Sequence, residues 1–129
     1  MKKIFLVVLI SCCASFMSKA QLYSFSDGTV SFFSEAPLEN IDAKTDKLSS
    51  FLNTSNNEIM FILQVRSFNF DKDLMKEHFN EKYLESDKYP TSTFKGKINE
   101  TVDYTKDGTY NVTATGKLMI HGVEREINA

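Results

Sequence analysis

The sequence predicts an all-β domain, an antiparallel sheet that carries one short helix. Apolar and polar residues alternate with a period of two over most of the chain beyond residue 20, which is typical of half-buried strands. One segment, residues 73–84, instead repeats its apolar residues at helical spacing. Because the chain has 129 residues, we expect one domain, folded as a meander, a sandwich or a barrel.

Residues 1–20 are predicted to be a secretory signal peptide. Lys2 and Lys3 form a basic start, residues 4–10 are an unbroken apolar run, and residues 18–20 are a suitable cleavage site. The apolar run is too short to span a bilayer, which needs about 20 residues. We therefore expect an exported protein, periplasmic or secreted, whose mature domain covers residues 21–129 without a membrane-spanning segment.

A second processing route is an alternative to soluble release. Residues 9–12 resemble the box that precedes the lipidated cysteine of bacterial lipoproteins. Cleavage at this box would leave Cys12 carrying acyl chains, and the domain would be anchored to a membrane.

Loss of the signal peptide changes the charge of the chain. It removes three lysines and no acidic residue, which leaves 12 basic against 17 acidic residues and a net charge of −5. An acidic surface repels nucleic acid, so we expect no nucleic-acid partner. Cys12 and Cys13 are the only two cysteines, so the mature domain has no disulfide and no thiolate metal site.

The first half of the mature chain contains several alternating segments. In residues 58–65 one face carries Ile59, Phe61, Leu63 and Val65, which predicts a strand. Shorter strands are expected at residues 29–34, 41–44 and 48–52.

A helix is expected next, over residues 73–84. Its apolar stripe consists of Leu74, Met75, His78, Phe79 and Tyr83. Asp71 and Asp73 are suited to cap and charge its start. Pro90 disfavours helix at the residue before it and restarts extended chain. A single helix among strands predicts a cover over one end of a barrel.

Two longer strands are predicted after the helix. The first alternation places on one face Phe94, Gly96, Ile98, Val102 and Tyr104. In residues 109–120 the even positions are apolar or small, and the odd positions are polar except for Met119. Asp107-Gly108, between the two segments, suits a tight hairpin turn. A last strand is expected from Val123 onward.

Small residues on the inner face of these strands allow two interpretations. Ala114, Gly116 and Gly96 lie at positions where a solid core would carry larger side chains. One interpretation is a cavity lined by aromatic rings, because the interior of an eight-stranded barrel can hold one small ligand. The other is that the glycines permit bends and that the rings pack on one another.

The sequence favours binding over catalysis. The only histidines are His78 and His121, which we interpret as structural residues, one on the helix stripe and one at a turn. We find no nucleophile elbow, no phosphate loop and no zinc-protease motif. We therefore expect no enzyme activity, no metal site and no cofactor.

Two groups of residues resemble the signatures of a known family. The first group comprises residues 67–70 (SFNF), 74–86 (LMKEHFNEKYLES), 88–90 (KYP) and 94–96 (FKG). The second is residues 115–123 (TGKLMIHGV). In order and spacing they resemble the YceI-like family of secreted bacterial lipid-binding proteins. The resemblance implies a lipocalin-like antiparallel barrel that holds a long polyisoprenoid, or a quinone-like lipid, for storage or transfer in the periplasm.

The resemblance and the inward periodicity together predict the residues that line such a cavity. The candidate wall residues are Phe32, Phe61, Leu63, Phe68, Phe70, Met75, Phe79, Phe94, Gly96, Tyr110, Val112, Ala114, Gly116, Leu118 and Ile120. Met75 and Phe79 are expected to act as a lid.

Two further expectations concern the end of the chain and a rival function. The resemblance implies further strands after residues 123–127, whereas the sequence stops at Ala129, so we expect an open barrel or a fragment of a longer protein. The rival is a β-sandwich module that binds a protein or glycan on its outer surface. Its candidate contacts are the outward Phe33 and Met119.

Overall fold

The computed structural model describes residues 21–35, 37 and 39–129, and these form one antiparallel sheet of seven strands. The order along the sheet is β1-β2-β3-β5-β6-β7, and the short β4 pairs with β2. The strands are β1 (Leu22–Ser34), β2 (Ile41–Asn53), β3 (Glu58–Gln64), β4 (Asn69–Phe70), β5 (Thr91–Ile98), β6 (Ala114–Ile120) and β7 (Val123–Asn128). The predicted signal peptide and Cys12 lie outside the described residues.

The sheet is open. Among the described residues β1 and β7 form its two edges and do not pair with each other. The prediction of an antiparallel all-β fold with one short helix is confirmed. The sheet is single, so the architecture differs from the two packed sheets of a sandwich. No helix in the described part of the chain is long and apolar enough to cross a membrane.

Residues 41–44 and 48–52, which were predicted to be separate short strands, form one long strand. The strand β2 runs through the predicted gap between residues 44 and 48, and its partner β1 has register shifts between Phe25 and Gly28 and between Gly28 and Val30. Across this irregularity the inward positions of β2 change from odd, at the buried Ala43 and Thr45, to even, at Leu48. Such a shift bends the strand pair and lets it follow the core.

The helix α1 (Asp73–His78) continues as a π-helical turn from Phe79 to Tyr83, close to the predicted range. The predicted capping is wrong in detail, because Lys72 occupies the N-cap position and makes no side-chain capping bond. Asp73 still lies in the first turn, where its charge favours the helix dipole. We call residues 73–83 the helical segment.

The predicted strands around Asp107-Gly108 are wrong in their extent. β5 ends at Ile98 and β6 begins at Ala114, so residues 99–113 form a loop instead of a tight hairpin. The loop is held by the Glu100 carboxylate, which accepts hydrogen bonds from the Thr113 N–H and hydroxyl, both at 2.7 Å. These local bonds replace the ladder that the alternation alone would predict.

The buried core lies at the end of the sheet where the helical segment crosses it. Its members are Ala43, Leu63, Val65, Phe68 and Phe79, with Val30, Phe32, Leu48, Phe70 and Leu84 packed against them. These residues come from β1, β2, β3, β4, the segment between β3 and β4, the helical segment and the residue that follows it. The core is therefore built on one end of the sheet.

Candidate functional site

A cavity of about 480 Å3 lies beside this core, between the sheet and the helical segment. It is lined by Val30, Phe32, Leu48, Phe61, Leu63, Val65, Phe68, Phe79, Leu84, Ser92, Thr93, Phe94, Leu118 and Ile120. None of these residues is charged, and Ser92 and Thr93 are the only two that carry a polar side chain. The cavity therefore offers an apolar surface with few hydrogen-bonding groups.

Strand register explains why one wall of the cavity is formed by large apolar side chains. Phe61 on β3 lies opposite Phe94 on β5, and Phe94 lies opposite Leu118 on β6. Directly opposite residues of antiparallel strands point to the same face. The rings of Phe61 and Phe94 stack with their centroids 6.1 Å apart. We call the face that carries these three residues the cavity face, and the other the outer face.

Three phenylalanines close the helical end of the cavity. The ring of Phe32 lies 5.1 Å from that of Phe68 in an edge-to-face contact and 5.6 Å from that of Phe79 in a stacked contact. Phe68 and Phe79 also meet edge to face at 5.8 Å. Such geometries are those that aromatic pairs prefer. The cluster joins β1, the segment before β4 and the helical segment into one apolar end wall.

A buried polar pair fixes the helical segment that supplies Phe79. Asn80 is 6% exposed, and its side-chain amide donates to the Lys76 carbonyl at 2.9 Å. The hydroxyl of Ser86, which is 1% exposed, donates to the Asn80 side-chain oxygen at 2.6 Å. The Ser86 N–H also donates to the Asn80 carbonyl at 2.7 Å. Because both side chains are satisfied, they hold the π-helical turn against the core at little cost.

The titratable groups with shifted pKa values lie away from the cavity. The hydrogen bonds from Thr113 lower the pKa of Glu100, and hydrogen bonds from Thr105 lower that of Asp103. Burial raises the pKa of Tyr104. Among the described residues no three His, Cys, Asp or Glu side chains are grouped so as to hold a metal ion. The arrangement at the cavity is suited to hold an apolar molecule.

A comparison with protein families identifies the fold. The model of the YceI-like domain matches residues 18–129. The chain belongs to this family. No curated protein matches the chain.

The solved structures that are similar to it include the following two. A polyisoprenoid binding domain from Saccharophagus degradans, implicated in plant cell wall breakdown, has 17% identity and a TM-score of 0.62, over 85% of this chain and 65% of that one. A YCEI protein from Campylobacter jejuni has 16% identity and a TM-score of 0.47, over 84% of this chain and 53% of that one. The chain thus spans less than two thirds of either, and its fold is an open, lipocalin-like one.

The two YceI-like signatures meet in space beside the cavity. His121, in the turn between β6 and β7, places its Nε2 2.9 Å from a carboxylate oxygen of Glu85. The ring of Tyr89 contacts that of His121 edge to face at 5.0 Å. A Cβ added at Gly122 would lie 2.5 Å from the Tyr89 ring, so this turn packs directly on the ring. His121 thus lies at a turn, and its ring contacts the side chains of Glu85 and Tyr89.

These contacts connect two walls of the cavity. Leu84 and Ile120 both line it, and each directly precedes a partner of the Glu85–His121 contact. Both Glu85 and His121 have positive φ angles, of 47° and 52°. Such angles are uncommon outside glycine, which is consistent with positions fixed by their surroundings. The signature residues thus set the separation of the helical wall and the β6 wall.

The structure brings together part of the predicted wall. The predicted residues that line the cavity are Phe32, Phe61, Leu63, Phe68, Phe79, Phe94, Leu118 and Ile120. Phe70 packs on Phe79 from outside the cavity, with ring centroids 4.9 Å apart. With Met75 and Phe33 it lines a separate, smaller depression. Of the two predicted lid residues, only Phe79 reaches the cavity.

Other predicted wall residues lie elsewhere. Tyr110 and Val112 are 45% and 39% exposed, because residues 109–113 belong to the loop and not to a strand. Ala114 is buried at the start of β6 but is not among the lining residues.

Two glycines lie where the backbones of neighbouring strands approach each other closely. Gly96 and Gly116 lie directly opposite each other on β5 and β6. A Cβ at Gly116 would lie 2.3 Å from the Lys95 carbonyl oxygen, and one at Gly96 would lie 2.7 Å from that of Thr115. Their backbones leave no room for a side chain, which supports the bend interpretation at these two positions. A large residue at Gly116 would disrupt the strand pair and would not simply fill a cavity.

Sequence reasoning missed six lining residues, which are Val30, Leu48, Val65, Leu84, Ser92 and Thr93. Val65 and Ser92 continue the alternation of Leu63 and Phe94, so this signal was present. Val30 and Leu48 could not be predicted in this way. They point inward because of the register shifts in β1 and the change from odd to even inward positions in β2, and such irregularities depend on the partner strand.

Proposed function

We propose that this chain binds the hydrocarbon chain of a polyisoprenoid, or of a similar long-chain lipid, non-covalently in the apolar cavity. The observation that carries the proposal is the cavity of about 480 Å3 walled by phenylalanine, leucine, isoleucine and valine. This volume lies in the range of about 300–1,000 Å3 that is usual for ligand sites. A similar fold in the polyisoprenoid binding domain of Saccharophagus degradans supports the same ligand class.

Binding of this kind needs no reactive group. Removal of apolar ligand surface from water is worth about 25 cal/mol per Å2, so a long hydrocarbon chain is held by its area alone. We propose a non-enzymatic carrier that shields the lipid from water for storage or transfer. The sequence features of residues 1–20 support export, so we place this carrier in the periplasm or outside the cell.

The direct test is extraction of the purified protein with organic solvent and mass spectrometry of the extract. We expect a long-chain isoprenoid to co-purify with the protein. In the variant Ile120→Trp, a ring added at the cavity rim should remove most of the lipid while the far-ultraviolet circular dichroism spectrum stays unchanged.

The matched control is Val112→Trp, which adds the same ring to an exposed loop position. It should retain the lipid. Equal lipid recovery from both variants, or no lipid in the unmodified protein after incubation with polyisoprenoids, contradicts the proposal.

A second candidate is a surface that binds a protein or glycan. One observation favours it: Phe33 is 59% exposed and lines a depression with Phe70 and Met75. The double variant Phe33→Ser, Met119→Ser separates the two candidates, since both changes lie outside the cavity. We expect its lipid content to be unchanged. If the double variant loses the biological activity of the protein while Ile120→Trp retains it, the carrier proposal is wrong and the surface-binding candidate is favoured.

A further inference from the structure

One charged side chain lies on the cavity face of the sheet. Arg125 on β7 is directly opposite Leu118 on β6, and Leu118 lines the cavity. Since opposite residues share a face, the Arg125 side chain leaves the sheet on the same side as Leu118. Arg125 is exposed, so its guanidinium remains in water. It therefore lies beside the apolar cavity, one strand beyond the wall.

The surroundings of Arg125 on this face are uncharged. On β3, β5 and β6 the cavity face carries apolar residues, glycine and the hydroxyl of Ser92. Within residues 21–35, 37 and 39–129, no salt bridge includes Arg125. Its neighbours Glu124 and Glu126 leave the strand on the outer face, where Glu124 pairs with Lys117 at 3.5 Å. The positive charge is thus not neutralised by the nearest acids.

The chemistry of arginine indicates what such a position can bind. The guanidinium is always charged and presents parallel N–H donors that match the two oxygens of a carboxylate or phosphate. Its aliphatic stem can lie along apolar surface while the charged head stays in water. An ion pair formed beside an apolar wall is also screened less than one in open solvent.

We propose that Arg125 binds the acidic head group, a carboxylate or a phosphate, of an amphiphile whose hydrocarbon chain occupies the cavity. This inference rests on the proposed function and adds the class of head group to it. The tail is held by the walls of the cavity, and the head group stays at the rim, in contact with water and with the guanidinium. A neutral lipid of equal length binds through its tail alone.

The test compares ligands with identical tails on the delipidated protein. Geranylgeranyl monophosphate is paired with geranylgeraniol, and oleate is paired with oleyl alcohol, with dissociation constants measured by titration calorimetry. We expect the acidic member of at least one pair to bind about 10-fold more tightly, which corresponds to about 1.4 kcal/mol. The pair that shows the larger ratio identifies the source as phosphate or carboxylate. Added salt should reduce this ratio.

Three variants test whether the preference for the acidic ligand depends on Arg125. Arg125→Gln should bring the ratio to about one while the affinity for the alcohol stays unchanged, which also shows that the fold is intact. Arg125→Lys should retain part of the ratio, since it keeps the charge but not the paired donors. Lys117→Gln, on the outer face of the neighbouring strand, is the matched control and should leave the ratio unchanged.

The outcomes separate this inference from the proposed function. If acid and alcohol bind equally well to the unmodified protein, the role of Arg125 is wrong and the carrier function stands. If Lys117→Gln lowers the ratio as much as Arg125→Gln, the preference comes from general surface charge and the inference is overturned. If no member of either pair binds, both the inference and the proposed function fail.

Discussion

Both ends of the sheet are built from strands in which apolar and polar residues alternate, but the two ends are packed differently. At the helical end, the rings of Phe32, Phe68 and Phe79 lie within 6 Å of one another, and the buried core surrounds them. At the glycine end, Gly96 and Gly116 face each other, and Tyr23, in the same row on the edge strand β1, is 44% exposed. An alternating strand thus provides an apolar face, but burial depends on a segment from elsewhere that covers it.

The largest effect is expected from removal of the helical cover. Phe79→Ala should lower the free energy of unfolding by about 3–5 kcal/mol, because the ring contacts three other phenylalanines and is 5% exposed. Tyr83→Ala, in the same helical segment at a side chain that is 57% exposed, is the control and should cost less than about 0.5 kcal/mol. Urea denaturation of both variants measures the difference, and equal losses would contradict the asymmetry between the two ends.

At the glycine end, we expect the protein to lose stability when a side chain is added to a glycine. Gly116→Ala should cost about 2–3 kcal/mol, because the new Cβ meets the Lys95 carbonyl oxygen at 2.3 Å and backbone must move. Gly28→Ala is a graded control, since its nearest contacts, in Leu48, are at 3.1 Å. It should be clearly less destabilising in the same denaturation experiment. A neutral Gly116→Ala would show that the close approach of the two strands is not required.

The polar pair that holds the helical segment should have an intermediate effect. Ser86→Ala leaves the buried Asn80 side-chain oxygen without the hydroxyl donor, which should cost about 1–3 kcal/mol. The control is Ser55→Ala, whose hydroxyl bonds to Asn53 at the same length of 2.6 Å but in an exposed turn. It should cost less than about 0.5 kcal/mol. Thermal denaturation decides whether burial, and not bond length, determines the loss.

The smallest effect is expected in the loop beyond the glycine end. Hydrogen bonds from the Thr113 backbone and hydroxyl lower the pKa of Glu100 below its ordinary value of 4.5. The stabilisation is therefore fully present above pH 4.5 and is lost as the pH falls through the lowered folded-state pKa. We expect the hydrogen-exchange protection factor of the Thr113 amide to fall over this range. In Glu100→Gln it should be lower and independent of pH, and a titrating protection factor in that variant would assign the effect to another group.

Much of the fold follows from local periodicity. Within its own strand the period of two places each of Phe61, Phe94 and Leu118 on the apolar face, and the helical spacing from Asp73 places Phe79 toward the sheet. These features depend on the residue and its near neighbours, because strand and helix geometry fix the direction of each side chain. The sequence therefore predicted the helix and the large apolar cavity residues of β3, β5 and β6.

Tertiary structure decided the features that depend on distant partners. The alternation of residues 109–113 is as regular as that of β6, yet Glu100 takes the hydrogen bonds of Thr113, and Tyr110 and Val112 remain on the surface. The register shift of β1 against β2 turns Val30 and Leu48 inward. In the sequence, Arg125 is one of several charged residues in a polar segment. Only the pairing of β6 with β7 places it opposite Leu118. Periodicity determines which residues share a face, whereas the pairing of distant segments determines what that face meets.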